Sequence, residues 1–317
     1  MLPLPVFSER DIGELRRANT WLARLPRVRM ETRIERAIAH GTVIALEAAL
    51  LPFRRGAGLA IETRPVISHG RRIRLRILRP PGRLRGVHFD IHGGAWCAGN
   101  ARMNDLPNAA LARACDVAVV SIDYGRAPRT PLHTIIAECE AGALWLAENA
   151  KREFGATVMT IGGESAGAHL ALCTLLKRRS LFSAALLHYG IYDLSGSAAL
   201  RAAPRDVLVF HQPTMLSSLR QLTPGMSDEE RRAPDISPAF ADLSGLPPVL
   251  LIAGTRDPLL AESEELRARW KAANCNADIL IVPEGAHAFN RLPVAIARKT
   301  ADYANAWLSG HFSAVSQ

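Results

Sequence analysis

The sequence predicts an α/β fold: a mostly parallel eight-stranded sheet flanked by helices, with a helical cap. Three observations predict it. Eight short runs rich in apolar and β-branched residues recur along the chain, at 60–66, 73–79, 86–91, 117–122, 157–161, 184–188, 248–253 and 277–282. Helical periodicity occupies intervals between them, at 104–114, 131–154, 166–177, 261–273 and 294–308. The middle runs are nearly all apolar, as strands must be when crossover helices cover both faces of a parallel sheet.

The elements follow in chain order. Residues 9–51 read as helical. Ser8 is the expected N-cap of the first helix, with Asp11 three residues on and Ile12, Leu15, Ala18 and Leu22 along one face. A second helix is expected over 28–50, ended by the Leu51-Pro52 step and the stretch 54–58. The runs 60–66 and 73–79 alternate between apolar and polar, which predicts an antiparallel edge pair. Between Tyr189 and Leu246 the rhythm stops. Short helical pieces appear there, separated by Pro204, Pro213, Pro224, Pro234 and Pro238. This reads as an excursion from the sheet that joins the N-terminal helices as a lid. The expected division is therefore N-terminal cap helices at 1–55 and an α/β domain at 56–317, with a helical cap insertion at about 191–235.

Composition narrows the function classes. A chain of 317 residues with 48% hydrophobic and 22% charged residues suits one large domain with an accessory element. The net charge is +9, yet the arginines are scattered as pairs such as Arg16-Arg17 and Arg231-Arg232. No basic run reaches five and no aromatic residues interleave, so no nucleic-acid partner is expected. The five cysteines are odd in number, widely spaced and without a C-x-x-C pair. That argues against a disulfide framework and against a metal site, and favours a reducing, cytoplasmic location. The first ten residues lack a basic stretch followed by an apolar one, so no secretory signal is expected. The longest apolar stretch, 42–51, is interrupted by Glu47 and too short to span a bilayer. No stable membrane insertion is expected.

Four short motifs carry chemistry. Gly163-Glu164-Ser165-Ala166-Gly167 stands between the run 157–161 and a helical stretch. In a strand–turn–helix context this G-x-S-x-G pattern projects a serine above the sheet, the small neighbours removing the clashes of a strained turn. Ser165 is thus the candidate nucleophile, and the amide of Ala166 lies at a helix start, ready to donate to an anion. The alternative is a small-residue turn that only permits close packing. His92-Gly93-Gly94-Ala95-Trp96 leaves the run 86–91. Its glycines allow backbone amides to face a cleft and hold an oxyanion; the alternative is an ordinary glycine turn with His92 in the core. Asp257 follows the run 248–253, on the sheet edge where α/β sites form; a helix cap is its other reading. His287, in Gly285-Ala286-His287, follows the last run. The order Ser, Asp, His suits a triad with Ser165, Asp257 and His287 as members. His169 is expected to pack in the core, and His188 and His211 to line a pocket or pack. Glu262, Glu264 and Glu265 are expected on the next helix, facing solvent.

With Asp123-Tyr124-Gly125-Arg126-Ala127-Pro128 and Ser237-Pro238 added, these blocks resemble the hormone-sensitive-lipase-like branch of the α/β-hydrolase fold, the bacterial carboxylesterases. The resemblance spans residues 66–308. It implies Ser165 as nucleophile, His287 as general base and acid, Asp257 as the residue orienting it, and an oxyanion hole from Gly93, Gly94, Ala95 and Ala166. Two departures stand out. Ala95 replaces the third glycine of the usual His-Gly-Gly-Gly. Gly125-Arg126-Ala127 replaces the commoner Arg-Leu-Ala, with Arg129 where an acid is usual. The implied activity is hydrolysis of carboxylic esters with a small or medium acyl chain, the partner being a small-molecule ester, with no cofactor and no metal. The resemblance admits a homodimer, though no residue singles it out. Amide, carbamate or lactone hydrolysis fits the same triad, and a non-catalytic small-molecule binder fits the same fold. Trp21, Leu25, Phe210 and Met215 are candidate pocket liners, with helix packing as the alternative for each.

Overall fold

β1 (Ala60–Ser68) and β2 (Arg71–Arg79) form the antiparallel pair that their alternation predicts. His69 and Gly70 make the two-residue turn between them, both at positive φ (45° and 75°), which matches the twist of the flanking strands. The computed structural model from which this is read describes residues 2–25, 27, 29–55, 58–209 and 211–312. The remaining strands are β3 (Gly86–Ile91), β4 (Val117–Asp123), β5 (Met159–Glu164), β6 (Ala184–His188), β7 (Val249–Gly254) and β8 (Ala277–Val282). They lie in the order β1-β2-β4-β3-β5-β6-β7-β8. β2 pairs antiparallel with both neighbours and all other pairs are parallel, so β2 alone opposes the rest.

Strand alternation divides the interior in two. On one face Ala118, Val120 and Ile122 of β4 and Val249 and Leu251 of β7 pack under α4 (Leu132–Phe154), α5 (Ala166–Lys177) and α8 (Leu260–Ala272). On the other, Val117, Val119, Leu250 and Ile252 pack under α1 (Glu9–Leu22), α3 (Asp105–Cys115) and α9 (Ala295–Ser309).

The second face is less apolar at its centre than the middle runs led one to expect. His88 and Asp90 of β3, Ser121 of β4 and Thr160 of β5 are all buried there. They persist because each has a partner. Asp90 accepts from Asn104 Nδ2 (3.0 Å), Asn108 Nδ2 (2.8 Å) and Ser121 Oγ (2.6 Å), and His88 Nδ1 lies 2.8 Å from Thr160 Oγ1. A cavity of about 100 Å³ opens beside this layer.

α1 begins with the expected capping box: Ser8 Oγ accepts from the Asp11 amide, and Asp11 accepts from the Ser8 amide (2.8 Å). α1 packs on α9. Lys299 pairs with Asp11 (2.7 Å), and Glu14 accepts the first amide of α9 (2.9 Å). α2 (Arg33–Arg55) starts later than 28 and continues past Leu51-Pro52. A proline there withholds one backbone hydrogen bond, a loss that a helix of 23 residues tolerates. The excursion holds α6 (Ala198–Ala202) and α7 (Gln212–Leu222). The segment before α2 meets α7: Thr214 Oγ1 donates to Glu31 (2.8 Å), and Gln221 Nε2 donates to the Glu31 carbonyl (3.2 Å).

Candidate active site

Parallel strands leave their C-terminal ends on one edge of the sheet, and the candidate residues stand on the loops there. β5 ends at Glu164 and α5 begins at Ala166, which leaves Ser165 alone to make the turn. It does so at φ 53° and ψ −121°, a conformation disfavoured for an L-residue. The flanking glycines are required by space. A Cβ at Gly163 would lie 2.4 Å from the Gly167 carbonyl oxygen, and one at Gly167 would lie 2.0 Å from that of Ile91.

The structure brings Ser165, Asp257 and His287 together. Ser165 Oγ is 3.0 Å from His287 Nε2, and His287 Nδ1 is 2.7 Å from Asp257 Oδ2. A carboxylate beside Nδ1 fixes the tautomer: Nδ1 carries the hydrogen and Nε2 accepts from the serine hydroxyl. The other Asp257 oxygen accepts the Leu259 amide (3.0 Å). The two loops that carry Asp257 and His287 are held in close approach. A Cβ at Gly254 would meet the Gly285 carbonyl oxygen at 2.1 Å, and the Arg256 amide donates to that same carbonyl (2.9 Å).

The glycine turn after β3 passes directly beside the serine. A Cβ at Gly93 would lie 2.9 Å from the Glu164 carbonyl oxygen and 3.5 Å from Ser165 Cβ. Tyr124 holds the turn from outside. Its hydroxyl donates to the His92 carbonyl (2.9 Å), and its ring stacks on His92 at 4.2 Å between centroids. Burial lowers the His92 pKa to about 4, so the ring is neutral, with Nδ1 donating to the Gly93 carbonyl (2.7 Å). Among the described residues the Gly93, Gly94 and Ala166 amides have no protein acceptor. The Ala166 amide belongs to the first turn of α5, where helical partners are lacking in any case. Ala95 sits at φ 49°, in the left-handed region that its family counterpart, glycine, occupies without cost.

Other candidates separate from the site. His169 is fully buried, accepting from Trp96 Nε1 (3.2 Å) and donating to the Ile236 carbonyl (2.7 Å); burial lowers its pKa to about 4. His188 Nδ1 lies 3.4 Å from Asn290 Nδ2, and His211 Nδ1 lies 3.1 Å from Thr214 Oγ1. Glu264 and Glu265 are exposed as expected, but Glu262 is not. It turns inward because the chain leaving β6 presents two backbone donors that need an acceptor. Its carboxylate takes the Tyr192 amide (2.6 Å), the Asp193 amide (3.1 Å) and the Ser197 hydroxyl (2.7 Å). Trp21 and Leu25 are exposed, Met215 is buried on α7, and Phe210 lies outside the described residues. Among the described residues no three His, Cys, Asp or Glu side chains gather as a metal would require.

Sequence reasoning passed over Tyr189, Asn290 and Arg291, and it gave Glu164 no role. The available signal was a charged residue immediately before the serine and an arginine four places after the histidine.

With this geometry in place, comparison with known proteins is direct. A family model described as the alpha/beta hydrolase fold matches residues 88–291. The chain belongs to the α/β-hydrolase family. This α/β hydrolase is 28% identical over 220 residues to the carboxylic ester hydrolase LipN of Mycobacterium tuberculosis, covering 63% of this chain and 56% of that one. It is 30% identical over 210 residues to the putative acetyl-hydrolase LipR of the same organism, covering 64% and 65%. The chain thus spans less than two thirds of the length of either relative. Among solved structures, the esterase LipW of Mycobacterium marinum superposes with a TM-score of 0.85 at 23% identity, over 95% of this chain and 97% of that one. An esterase of the bacterial hormone-sensitive lipase family gives 0.76 at 22%, over 97% and 100%. These two likenesses establish the shared fold.

Proposed function

We propose that this α/β hydrolase cleaves carboxylic esters of small or medium acyl chain through an acyl-enzyme on Ser165. The observation that carries the reading is the unbroken chain of contacts from Asp257 through His287 to Ser165 Oγ. The relatives named as a carboxylic ester hydrolase and an acetyl-hydrolase support it.

The chemistry follows from the tautomer. Oγ attacks the ester carbonyl while Nε2 takes its proton, and Asp257 stabilises the imidazolium that forms. The negative oxygen of the tetrahedral intermediate is received by amides of the Gly93–Ala95 turn and of Ala166, each donor worth on the order of 3 kcal/mol. His287 then hands its proton to the departing alcohol. It next deprotonates water, which attacks the acyl carbonyl and releases the acid and the free serine. The close approach of Gly93 to Ser165 supports this assignment of the donors.

In this reading residues 1–55 and the insertion at about 191–235 form a cap over the catalytic domain. A cytoplasmic location is proposed from the five cysteines, all free thiols. A homodimer through β8 is proposed from its edge position, where Ile281 is 37% exposed; sedimentation velocity tests it.

The experiment is hydrolysis of p-nitrophenyl esters from acetate to dodecanoate, with Ser165→Ala alongside. Turnover in the wild type that is lost in a folded variant supports the serine esterase, and the chain-length profile sizes the acyl pocket. Turnover that survives in the variant contradicts it. Activity on anilides, carbamates or lactones alone would move the assignment to those substrates.

A further inference from the structure

The residue before the proposed nucleophile is an acid, Glu164, and the fourth residue after His287 is a base, Arg291. In the fold they meet. Arg291 Nη2 contacts both Glu164 Oε1 and Asn104 Oδ1, and Nη1 donates to the Met103 carbonyl (2.6 Å). The other Glu164 oxygen accepts from the Tyr189 hydroxyl (2.5 Å), which also lies 2.7 Å from Asn290 Oδ1. The Tyr189 ring stands edge-on to the His287 imidazole, with centroids 4.8 Å apart. One cluster therefore touches both the strand end that carries Ser165 and the loop that carries His287.

Stability alone does not account for such a pair. Glu164 is buried while Arg291 reaches it from an exposed position, so the pair adds little to stability, whereas losing the guanidinium leaves a buried carboxylate uncompensated. Burial, the largest single influence, would push the Glu164 carboxyl up; the Arg291 guanidinium and the Tyr189 hydroxyl, with a smaller share from His188, together hold it below the usual range. Both partners are thus ionised, and their charges cancel beside the imidazole. The groups that face them are few. Asp90 on β3 is raised by burial, while His92 after β3 and His188 on β6 are lowered to about 4 and stay neutral across the working range. Asp257 faces His287 directly.

We infer that Glu164 and Arg291 are positioning residues, a charge-neutral clamp that fixes His287 against Ser165, with Tyr189 as its strut. This rests on the serine-hydrolase reading. The clamp fixes geometry because each end is anchored twice: Arg291 to the segment before α3, and Glu164 to Tyr189. It fixes charge because loss of the acid alone would leave the Arg291 charge unpaired near the imidazolium of the reaction.

The test uses the full chain and whichever p-nitrophenyl ester the wild type hydrolyses best. In Glu164→Gln, kcat is expected to fall about 10–100-fold with KM within about twofold, the signature of misplaced reacting groups. The acid limb of kcat/KM is expected to move about one pH unit lower, since the unpaired Arg291 charge disfavours the imidazolium. In Glu164→Gln/Arg291→Met the limb returns to its wild-type position while kcat stays low. Tyr189→Phe lowers kcat and leaves the limb in place. A folded Glu164→Gln with unchanged kcat and limb overturns the clamp, as does a double variant whose limb stays displaced. If Glu164→Gln does not fold, wild-type kcat in both Tyr189→Phe and the double variant overturns it. A wild type without turnover of any ester, anilide, carbamate or lactone overturns the serine-hydrolase reading and the clamp with it, whereas turnover that disappears in Ser165→Ala keeps the two questions separate.

Discussion

Strained residues mark the site at the scale of single side chains. Ser165 at φ 53° and Ala95 at φ 49° both occupy the left-handed region. The two differ in what they require. Ser165 is held by neighbours that cannot grow, so Gly167→Ala is expected to abolish ester turnover: its new methyl would sit 2.0 Å from the Ile91 carbonyl oxygen. Measured turnover near wild type would mean that the turn is wider than described. Ala95 is different, because a glycine there relieves strain. Ala95→Gly removes a left-handed cost of about 1–2 kcal/mol but adds unfolded-chain entropy, for a net gain of about 0.5–1 kcal/mol. Urea unfolding checks it. At Asp257, Asn in place of Asp preserves shape but lets the imidazole take the wrong tautomer. A fall in kcat on the order of 10⁴-fold is expected, with KM little changed.

At the scale of elements, the helices outside the sheet act by holding loops. α1 reaches the histidine loop through Asn19, whose Nδ2 donates to the Glu284 carbonyl (2.7 Å), and through Arg16, which pairs with the Glu284 side chain. Asn19 is 2% exposed, so Asn19→Ala removes a buried side chain and the donor of the Glu284 carbonyl and is expected to lower stability by about 1–2 kcal/mol. Thermal unfolding reads it. α8 holds the start of the excursion through Glu262. Burial raises that carboxyl to about 7 from an ordinary 4.5. In the folded protein it keeps a proton that the unfolded chain has released, so stability is fully present below 4.5 and falls as pH rises toward 7. The loss is on the order of 3 kcal/mol. Glu262→Gln can keep all three contacts, its oxygen taking the amides and its nitrogen donating to Ser197. The variant is expected to flatten the stability profile between pH 4.5 and 7 and to exceed the wild type in melting temperature at pH 8. An unchanged profile would contradict it. These contacts show what the sequence concealed. The eight strands, their covering helices and the Ser8 cap were legible because each leaves a local period or spacing. The inward turn of Glu262 was not, since its helix periodicity is satisfied by solvent or by core alike. Only the unpaired amides of Tyr192 and Asp193, distant in the chain, decide between the two.

The whole molecule explains why three separated loops converge. Parallel strands β5, β7 and β8 end on one edge, so residues following them in sequence become neighbours in space. This is why Ser165, Asp257 and His287 could be picked out from motif order, and why the structure brings them within hydrogen-bonding reach. The polar layer on the other face was hidden for the opposite reason. His88 and Asp90 on β3, Ser121 on β4 and Thr160 on β5 share no motif and come together only through sheet register. The Glu164–Arg291 contact likewise spans 127 residues of chain and leaves no local trace. The central claim is that ester turnover passes through an acyl group on Ser165. It is tested most directly by quenching the enzyme with acid during p-nitrophenyl ester turnover and measuring intact and peptide mass. One acyl group per chain on the peptide carrying Ser165, absent from Ser165→Ala, is the predicted result. Hydrolysis with no acylated Ser165, or with the acyl group on another residue, would contradict it.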